Sequence, residues 1–190
     1  MRLGIFGGSF NPVHYGHLLL AETARDRLSL DRVVFIPTGQ PPHKSAKGLL
    51  AGPHRLALIQ MAVRDHSAFT VSDIELQRAG VSYSIDSVKI LKTQLPAAKL
   101  FLLIGADMLS VRWAHWDELE RLCTIVAARR PAAATRKSAG VTWLPMPLVE
   151  ISSSDIRQRL RTGRSVRYLV PPAVERYLHA HQLYRRTGGL

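Results

Sequence analysis

The sequence feature that most constrains the fold is a glycine-rich turn between the first apolar run and the first helical pattern. The run covers residues 3–6, and the turn and helix start follow at residues 7–17 with the sequence GGSFNPVHYGH. In a doubly wound sheet, anions bind where the carboxyl end of a strand faces the free N–H groups of a helix start. Glycines at this point let the backbone approach phosphate oxygens closely. The opening segment therefore predicts a parallel α/β sheet that binds a phosphate.

Short apolar runs alternate with helical patterns along the chain, which is typical of a parallel sheet with crossover helices. Strands buried on both faces are predicted at residues 3–6, 33–36, 100–104 and 125–128, with a late strand near 141–144. Helices are predicted at residues 15–28 and 53–63, from Ser84 through Leu91, from Ser152 through Leu160, and from Pro172 onward. Residues 131–140 are rich in Pro, Ala, Thr and Lys and predict a loop. The predicted fold is a doubly wound, Rossmann-like parallel sheet with a small helical C-terminal end.

Local signals mark where several of these helices begin. Pro53 is predicted at the first helical position after Gly52, and Ser84 is expected to cap the next helix. Ser152 and Asp155 have the spacing of a capping box. In the first helix, a buried face is expected at Leu18, Leu19, Ala21 and Ala24.

Length and composition favour one soluble domain. The chain has 190 residues, and we expect a single domain over 1–190 whose last part, about 151–190, is helical. The apolar runs are too short to span a membrane, and the N-terminus lacks the apolar stretch of a signal peptide. The single Cys123 excludes an internal disulfide and predicts a cytoplasmic protein.

The formal net charge of +12 suggests nucleic-acid binding as one interpretation. The lysines and arginines are scattered, however, with short clusters only at Arg129-Arg130 and from Arg157 to Arg167. A basic surface that also serves an anionic small substrate is the preferred explanation. We therefore expect no nucleic-acid partner and no membrane partner, and a basic nucleic-acid-binding module is the alternative from a different class.

Two histidines stand three residues apart at the start of the first helix. This spacing places the imidazoles of His14 and His17 on one side of the first turn, and Gly16 keeps side-chain bulk away from a ligand. Both rings can donate hydrogen bonds to a phosphoryl group that gains charge in its transition state. A zinc site and a purely structural pair are the alternatives. The neighbouring sequence supplies no Glu or Cys ligand, and the glycine turn favours the phosphate role.

This segment resembles the nucleotidyltransferase superfamily that carries the His-x-Gly-His motif and includes the NAD-pathway and phosphopantetheine adenylyltransferases. The resemblance implies direct displacement at the α-phosphate of a nucleotide, without a covalent enzyme intermediate. His14 and His17 are then the catalytic candidates. The ATP-binding candidates in this segment are Gly8, Ser9, Phe10 and His17.

The segment at residues 37–44, PTGQPPHK, narrows the acceptor. His43 and Lys44 would place cationic donors beside phosphates, and a solvated turn is the alternative. The segment resembles the Pro-Pro-His-Lys/Arg loop of bacterial nicotinate mononucleotide adenylyltransferases. The resemblance implies that His43, Lys44 and Asn11 bind the mononucleotide.

The segment at residues 82–87, SYSIDS, is similar to the same family's Ser-Tyr-Thr-x-Asp-Thr segment. Two threonines are replaced by serines, which keep the hydroxyl group and lose only a methyl group. The resemblance implies that Tyr83 and Ser84 lie near the pyridine mononucleotide. Helix capping by Ser84 is the structural alternative, and both roles are compatible.

A carboxylate and two tryptophans follow the strand predicted at residues 100–104. Asp107 belongs to a Gly-Ala-Asp sequence that matches the family, and a carboxylate there can accept hydrogen bonds from ribose hydroxyls. The resemblance also implies a tryptophan that stacks on the nicotinate ring, as an aromatic face suits a flat heteroaromatic ring. Trp113 is the choice, although it comes about two residues early, and Trp116 is the alternative.

The segment at residues 151–157, ISSSDIR, is similar to the family's Ile-Ser-Ser-Thr-x-Ile-Arg. Its helix start and its arginine can bind a triphosphate. The resemblance thus adds Ile151, Ser152, Ser153 and Arg157 to the ATP-binding candidates.

Taken together, the resemblance implies adenylyl transfer from ATP to nicotinate mononucleotide, giving deamido-NAD and pyrophosphate. The partners are therefore ATP and nicotinate mononucleotide. Mg²⁺ is expected as the cofactor, held mainly by the ATP phosphates and water, and we name no protein ligand for it. A phosphopantetheine adenylyltransferase and an enzyme that accepts both nicotinamide and nicotinate mononucleotides are the alternatives.

Overall fold

The computed structural model describes residues 1–42, 48–111, 113–128, 140–147 and 149–185. In chain order its elements are β1 (Arg2–Gly8), α1 (Tyr15–Arg27), β2 (Arg32–Pro37), α2 (Gly52–Val63), β3 (Phe69–Val71), α3 (Ser84–Gln94), β4 (Lys99–Gly105), the short 3₁₀ helix η1 (Ala106–Ser110), α4 (Trp116–Leu122), β5 (Thr124–Ala128), β6 (Val141–Leu144), α5 (Ser153–Arg161) and α6 (Pro172–Ala180). Each strand and helix predicted from the sequence is present within these residues. The sequence did not predict β3, η1 or α4.

The six strands form one parallel sheet in the order β3-β2-β1-β4-β5-β6. The order reverses beside β1, so that β1 and β4 are neighbours and their carboxyl ends lie side by side. Ligands of doubly wound sheets bind at such a switch point. The doubly wound parallel sheet predicted from the sequence is confirmed.

Helices cover both faces of the sheet because the strands are apolar on both sides. One face packs against α1, α2, α5 and α6 through a cluster that includes Phe6, Phe35, Leu58 and Leu160. The other face packs against α3 and α4 through a cluster that includes Ile5, Ile36, Val88 and Leu119. Neighbouring residues of one strand, such as Ile5 and Phe6, therefore enter different clusters, as the alternation of side chains in a strand requires.

The helical C-terminal part shares the core of the first face. Ile156 on α5 and Val174 on α6 are fully buried in the same cluster as residues of β1 and α2. The predicted single domain over 1–190 stays a prediction, since residues 186–190 lie outside the described range. Within the described residues, no helix is both long enough and apolar enough to cross a membrane.

The structure differs from the predictions for the buried face of α1 and for the cap of α3. The buried face of α1 contains Leu20, whereas Leu18 and Leu19 are only half-buried, because the helix meets the sheet along the line of Leu20, Ala21 and Ala24. Ser84 is the first residue of α3 and does not cap it, since the capping position is taken by Tyr83.

The start of α2 and the predicted loop complete the comparison. Helix α2 includes Gly52, one residue earlier than predicted, so Pro53 occupies the second helical position and not the first. Of the loop predicted at residues 131–140, residues 131–139 lie outside the described part of the chain.

Candidate active site

A cleft of about 520 Å³ opens at the carboxyl edge of the sheet, where β1 and β4 end side by side. The ends of these two strands and the starts of α1, α3 and α5 form its walls. The predicted site residues that border the cleft are Gly8, Ser9, Phe10, Asn11, His14, His17, Tyr83, Ser84, Asp107, Trp113, Ile151, Ser152, Ser153 and Arg157. The remaining two, His43 and Lys44, lie outside the described residues. The fold thus brings together residues from both ends of the chain.

The imidazoles of His14 and His17 lie against each other at the start of α1. Their ring centroids are 3.7 Å apart and their planes differ by 30°. The backbone N–H of His14 donates to Nδ1 of His17 at 3.2 Å, and the backbone N–H of His17 donates to the carbonyl oxygen of His14 at 2.9 Å. Each residue therefore fixes the other, so the predicted pairing of the two rings is present.

The hydrogen bond to His17 also fixes the tautomer of its ring. Because Nδ1 accepts a hydrogen bond, the proton of the neutral imidazole resides on Nε2. An Nε2–H group is a donor, which is what a phosphoryl oxygen gaining charge requires. The ring itself is held edge-on by Phe10, whose centroid is 5.0 Å away.

Gly16 borders the cleft and also leaves room for His14. A Cβ atom at this position would lie 3.0 Å from Nδ1 and 3.1 Å from Cε1 of His14. Such close contacts would require the His14 ring to shift. That the glycine keeps side-chain bulk away from a ligand stays a prediction.

Phe10 gives the glycine-rich turn after β1 an unusual backbone. Its φ is 42°, a left-handed conformation that a bulky residue rarely adopts and that persists only where the surroundings enforce it. The side chain is buried against Phe6 and Phe35, with ring centroids 5.4 Å and 5.8 Å away. Gly8 makes this packing possible, because a Cβ there would lie 3.2 Å from the Phe10 ring.

Asn11 borders the cleft, but its amide serves the protein. Its Nδ2 donates to the carbonyl of Gly48 at 2.9 Å, and its Oδ1 accepts from the N–H of Leu50 at 3.1 Å and from the hydroxyl of Tyr184. These bonds tie the turn to the segment before α2 and to the C-terminal end. The predicted contact of Asn11 with the mononucleotide stays a prediction, and the structure adds this anchoring.

The start of α3 presents Tyr83 and Ser84 to the cleft. Tyr83 has extended backbone at the capping position, and no side chain caps the helix. The N–H groups of a helix start attract negative charge. This wall is therefore suited to a small anionic group.

Asp107 and Trp113 border the cleft after the end of β4. Asp107 lies in the first turn of η1 and is exposed. A Cβ atom on residue 105 would overlap the Asp107 carboxylate, so Gly105 leaves room for it. Nε1 of Trp113 donates to the carbonyl of Met108 at 2.7 Å, which fixes the ring. Trp116 begins α4 and packs edge-on against Trp113, with centroids 5.8 Å apart.

The start of α5 closes the cleft on the side of the histidines. Ser152 caps the helix, and its Oγ accepts from the N–H of Asp155 at 3.1 Å, as the capping-box spacing predicted. Oγ of Ser153 donates to the carbonyl of Pro12 at 2.9 Å. Nη1 of Arg157 donates to the carbonyl of Asn11 at 2.8 Å. This helix therefore packs directly on the glycine-rich turn.

Comparison with known proteins places this geometry in a family. Over residues 5–159 the chain matches the family described as cytidylyltransferase-like. A Lactiplantibacillus plantarum protein named "Probable nicotinate-nucleotide adenylyltransferase" is 42% identical over 188 residues, covering 98% of this chain and 89% of the relative. A Shouchella clausii protein of the same name is 44% identical over 185 residues, covering 96% of both chains. The chain belongs to this nicotinate-nucleotide adenylyltransferase family.

A solved structure has the same fold as this adenylyltransferase family member. It is the Plasmodium falciparum nicotinic acid mononucleotide adenylyltransferase complexed with NaAD, with a TM-score of 0.82. The alignment covers 96% of this chain and 97% of that chain at 18% sequence identity. At this identity the likeness concerns the fold alone.

Two buried charged residues of this adenylyltransferase were not predicted as site residues. Arg55 on α2 is 2% exposed and donates to backbone carbonyls next to the cleft. Its signal in the sequence is an arginine at i, i+3, i+4 spacing with Leu58 and Ile59, on the buried face of a helix. Glu75 lines the cleft and is 3% exposed, and it follows β3, which the sequence did not reveal.

The surroundings of Glu75 favour its neutral form. Burial raises the pKa of this carboxyl, although Oγ of Ser87 donates to its Oε1 at 2.7 Å and the N–H of Gly39 also donates to it. The carboxyl thus connects the segment after β2 with α3, the helix whose start borders the cleft.

Within the described residues, no group of three or more His, Cys, Asp or Glu side chains is placed to hold a metal ion.

Proposed function

We propose that this enzyme transfers the adenylyl group of ATP to the phosphate of nicotinate mononucleotide and releases pyrophosphate. The observation that carries the proposal is the cleft itself, which is bordered by the His14–His17 pair, by the starts of α1, α3 and α5, and by Trp113. The names of relatives at about 40% identity over nearly the whole chain support it. The carried-over residues and their roles are parts of this proposal.

The half of the cleft between α1 and α5 is proposed to bind ATP. The starts of both helices suit polyphosphate oxygens, and Gly7 lines the cleft with open space where a Cβ would stand, so the phosphates can approach the backbone. Asp107 would accept hydrogen bonds from the ribose, and the start of α5 with Arg157 would hold the β and γ phosphates. The remaining proposed ATP contacts are Gly8, Ser9, Phe10, Ile151, Ser152 and Ser153.

The half between α3 and Trp113 is proposed to bind the mononucleotide. The ring of Trp113, fixed by its bond to Met108, would stack on the pyridine. The N–H groups at Tyr83 and Ser84 would meet the carboxylate of nicotinate, since a helix start favours an anion. His43 and Lys44 would bind the acceptor's phosphate. A neutral carboxamide would gain less from the same helix start, so we propose a preference for nicotinate.

The reaction is proposed as one in-line displacement. An oxygen of the acceptor's phosphate forms a bond to the α-phosphorus of ATP while the bond from that phosphorus to the bridging oxygen of pyrophosphate breaks. The attacking oxygen is already anionic, so no general base is required. Nε2–H of His17, together with His14 and the backbone of Ser9 and Phe10, would stabilise the charge on the α-phosphoryl oxygens.

Mg²⁺ is proposed to enter with ATP. It prefers octahedral coordination by phosphate oxygens and retained water, and it would neutralise charge on the leaving pyrophosphate. We also propose that the enzyme acts in the cytoplasm, in keeping with its single cysteine.

The direct test is product analysis with each nucleotide donor. Purified enzyme with Mg²⁺ and nicotinate mononucleotide should form deamido-NAD and equimolar pyrophosphate from ATP. CTP is the informative control, because the matching family description is cytidylyltransferase-like. Product with CTP at a rate equal to that with ATP, or no product with either, would contradict the proposal.

A further inference from the structure

Arg55 is a buried cation for which the proposed reaction has no role. Its side chain is 2% exposed and stands in the first turn of α2. Both circumstances are unfavourable: burial lowers the pKa of the guanidinium by disfavouring its charged form, and a helix start repels a cation. No carboxylate of the described residues lies within ion-pairing distance of it, and Glu75 and Tyr184 act on it only at longer range.

Among the described residues, the side chain of Arg55 donates to two backbone carbonyls in or near the glycine-rich turn after β1. Nε donates to the carbonyl of Leu50 at 2.8 Å, and Nη1 donates to the carbonyl of Ser9 at 3.0 Å. The Ser9 carbonyl belongs to the same peptide group as the N–H of Phe10. A charged donor on that carbonyl polarises the peptide and makes its N–H a stronger donor.

Phe10 explains why this turn needs such an anchor. It holds a left-handed backbone conformation, which costs free energy in a residue with a side chain. The carbonyl before it is held by Arg55, and the carbonyl of Asn11, one peptide beyond the Phe10–Asn11 bond, is held by Arg157 at 2.8 Å. Two guanidinium groups therefore anchor the turn before and after the strained residue.

We propose that Arg55 is a positioning residue for adenylyl transfer, which fixes the Ser9–Phe10 peptide toward the nucleotide phosphates and adds a buried positive charge beneath them. This inference rests on the proposed function for the reaction, and on the cleft geometry for ATP binding. Since no carboxylate of the described residues pairs with Arg55, the triphosphate is the anion that balances its charge. A neutral donor could anchor the Ser9 carbonyl but would not add this charge.

The test compares two substitutions at Arg55 with one surface control. Arg55→Gln keeps a donor and removes the charge, whereas Arg55→Lys keeps the charge and can reach only one of the two carbonyls. Arg64→Gln is the matched control, because the substitution removes the same charge. Arg64 is the capping residue at the end of the same helix, and its side chain is 66% exposed. Thermal unfolding establishes that each variant is folded before activity is compared.

In Arg55→Gln we expect kcat to fall about 10²-fold and the Kd for ATP, measured by calorimetry without acceptor, to rise about tenfold. The KM for the mononucleotide should stay within about threefold of its original value, because the acceptor half of the cleft is not touched. Arg55→Lys should bind ATP nearly normally and lose about tenfold in kcat, since it retains charge but positions less well. Arg64→Gln should behave as the unsubstituted enzyme.

A folded Arg55→Gln enzyme with unchanged kcat and ATP affinity would overturn the inference. So would equal weakening of both substrates in proportion to lost thermal stability, which is the result expected of a purely structural residue. If Arg55→Gln does not fold, the split between kcat and ATP affinity in Arg55→Lys decides the matter in the same way. ATP binding is measured without acceptor, so it tests the role of Arg55 independently of the reaction. The proposed function fails on a different result, namely that the unsubstituted enzyme makes no deamido-NAD.

Discussion

At the scale of single residues, the account depends most on His17. Its ring lies 3.7 Å from that of His14, and its tautomer is fixed by the backbone N–H of His14. If its Nε2–H stabilises the transition state, His17→Ala should lower kcat by about 10²-fold or more, with a modest change in ATP affinity. Steady-state kinetics with a calorimetric Kd for ATP measures both. A folded variant with near-normal turnover would remove His17 from the mechanism.

Glu75 gives a prediction about pH. Burial raises the pKa of its carboxyl above the ordinary 4.5, so the folded state favours the protonated form. The stability this contributes is present below the unfolded pKa and is lost as pH rises through the folded pKa. Glu75→Gln cannot ionise, so the stability of the natural chain relative to this variant should decrease as the pH rises above the ordinary 4.5 of the carboxyl. Urea unfolding at several pH values measures the difference.

Glu118 is the control for this experiment because its pKa moves the other way. Lys89, 2.8 Å away, lowers the pKa of the Glu118 carboxyl. Its stabilising effect is therefore present above the unfolded pKa and is lost as pH falls. The natural chain should gain stability relative to Glu118→Gln as pH rises. Parallel slopes for both substitutions would contradict the assignment of a buried neutral form to Glu75.

At the scale of elements, α5 begins at a cap that the sequence predicted, and this cap, Ser152, also borders the cleft. Loss of the Ser152 cap should lower the free energy of unfolding by about 1 kcal/mol in Ser152→Ala, since the N–H of Asp155 loses its acceptor. Urea unfolding would show this. A neighbouring substitution with no cap to lose, Gln158→Ala on the exposed side of α5, should change stability little. Equal effects of both would indicate that the cap contributes nothing.

Arg157 on the same helix should show a different kind of loss. In the structure it anchors the Asn11 carbonyl, and in the proposal it also holds the triphosphate. We expect Arg157→Ala to raise the KM for ATP and to leave that for the mononucleotide nearly unchanged. Initial rates with each substrate varied in turn measure the two constants. If both rise together, the arginine acts only by holding the turn.

Elements also show how far the sequence could be interpreted. Apolar runs of four to five residues predicted four strands, because burial on both faces leaves a continuous signal. The three residues of β3 are too few to show a period, and that strand is recognised only by its pairing with β2. The site followed from motifs at helix starts, whereas Arg55 and Tyr184 depend on contacts between distant segments. Such contacts exist only once the chain is folded.

At the scale of the whole molecule, the cleft joins two halves with opposite demands. In the proposed function, the half between α1 and α5 binds the polyphosphate of ATP, and the half between α3 and Trp113 binds a flat ring with a substituent. Trp113→Ala should therefore lower kcat/KM for nicotinate and nicotinamide mononucleotides alike, because stacking depends on the ring and not on its substituent. The matched change at the second tryptophan, Trp116→Ala, should have the smaller effect. The reverse order would identify Trp116 as the stacking residue.

The most direct test of the central claim is pyrophosphate release with three acceptors: nicotinate mononucleotide, nicotinamide mononucleotide and phosphopantetheine. Charge-assisted hydrogen bonds from the start of α3 should favour the carboxylate, whereas a carboxamide would aim its NH₂ at the same donors. We predict that kcat/KM for nicotinate mononucleotide exceeds that for nicotinamide mononucleotide by at least about 10²-fold, roughly 2.7 kcal/mol, with no turnover of phosphopantetheine. Comparable kcat/KM for the two mononucleotides, or a preference for phosphopantetheine, would contradict the account.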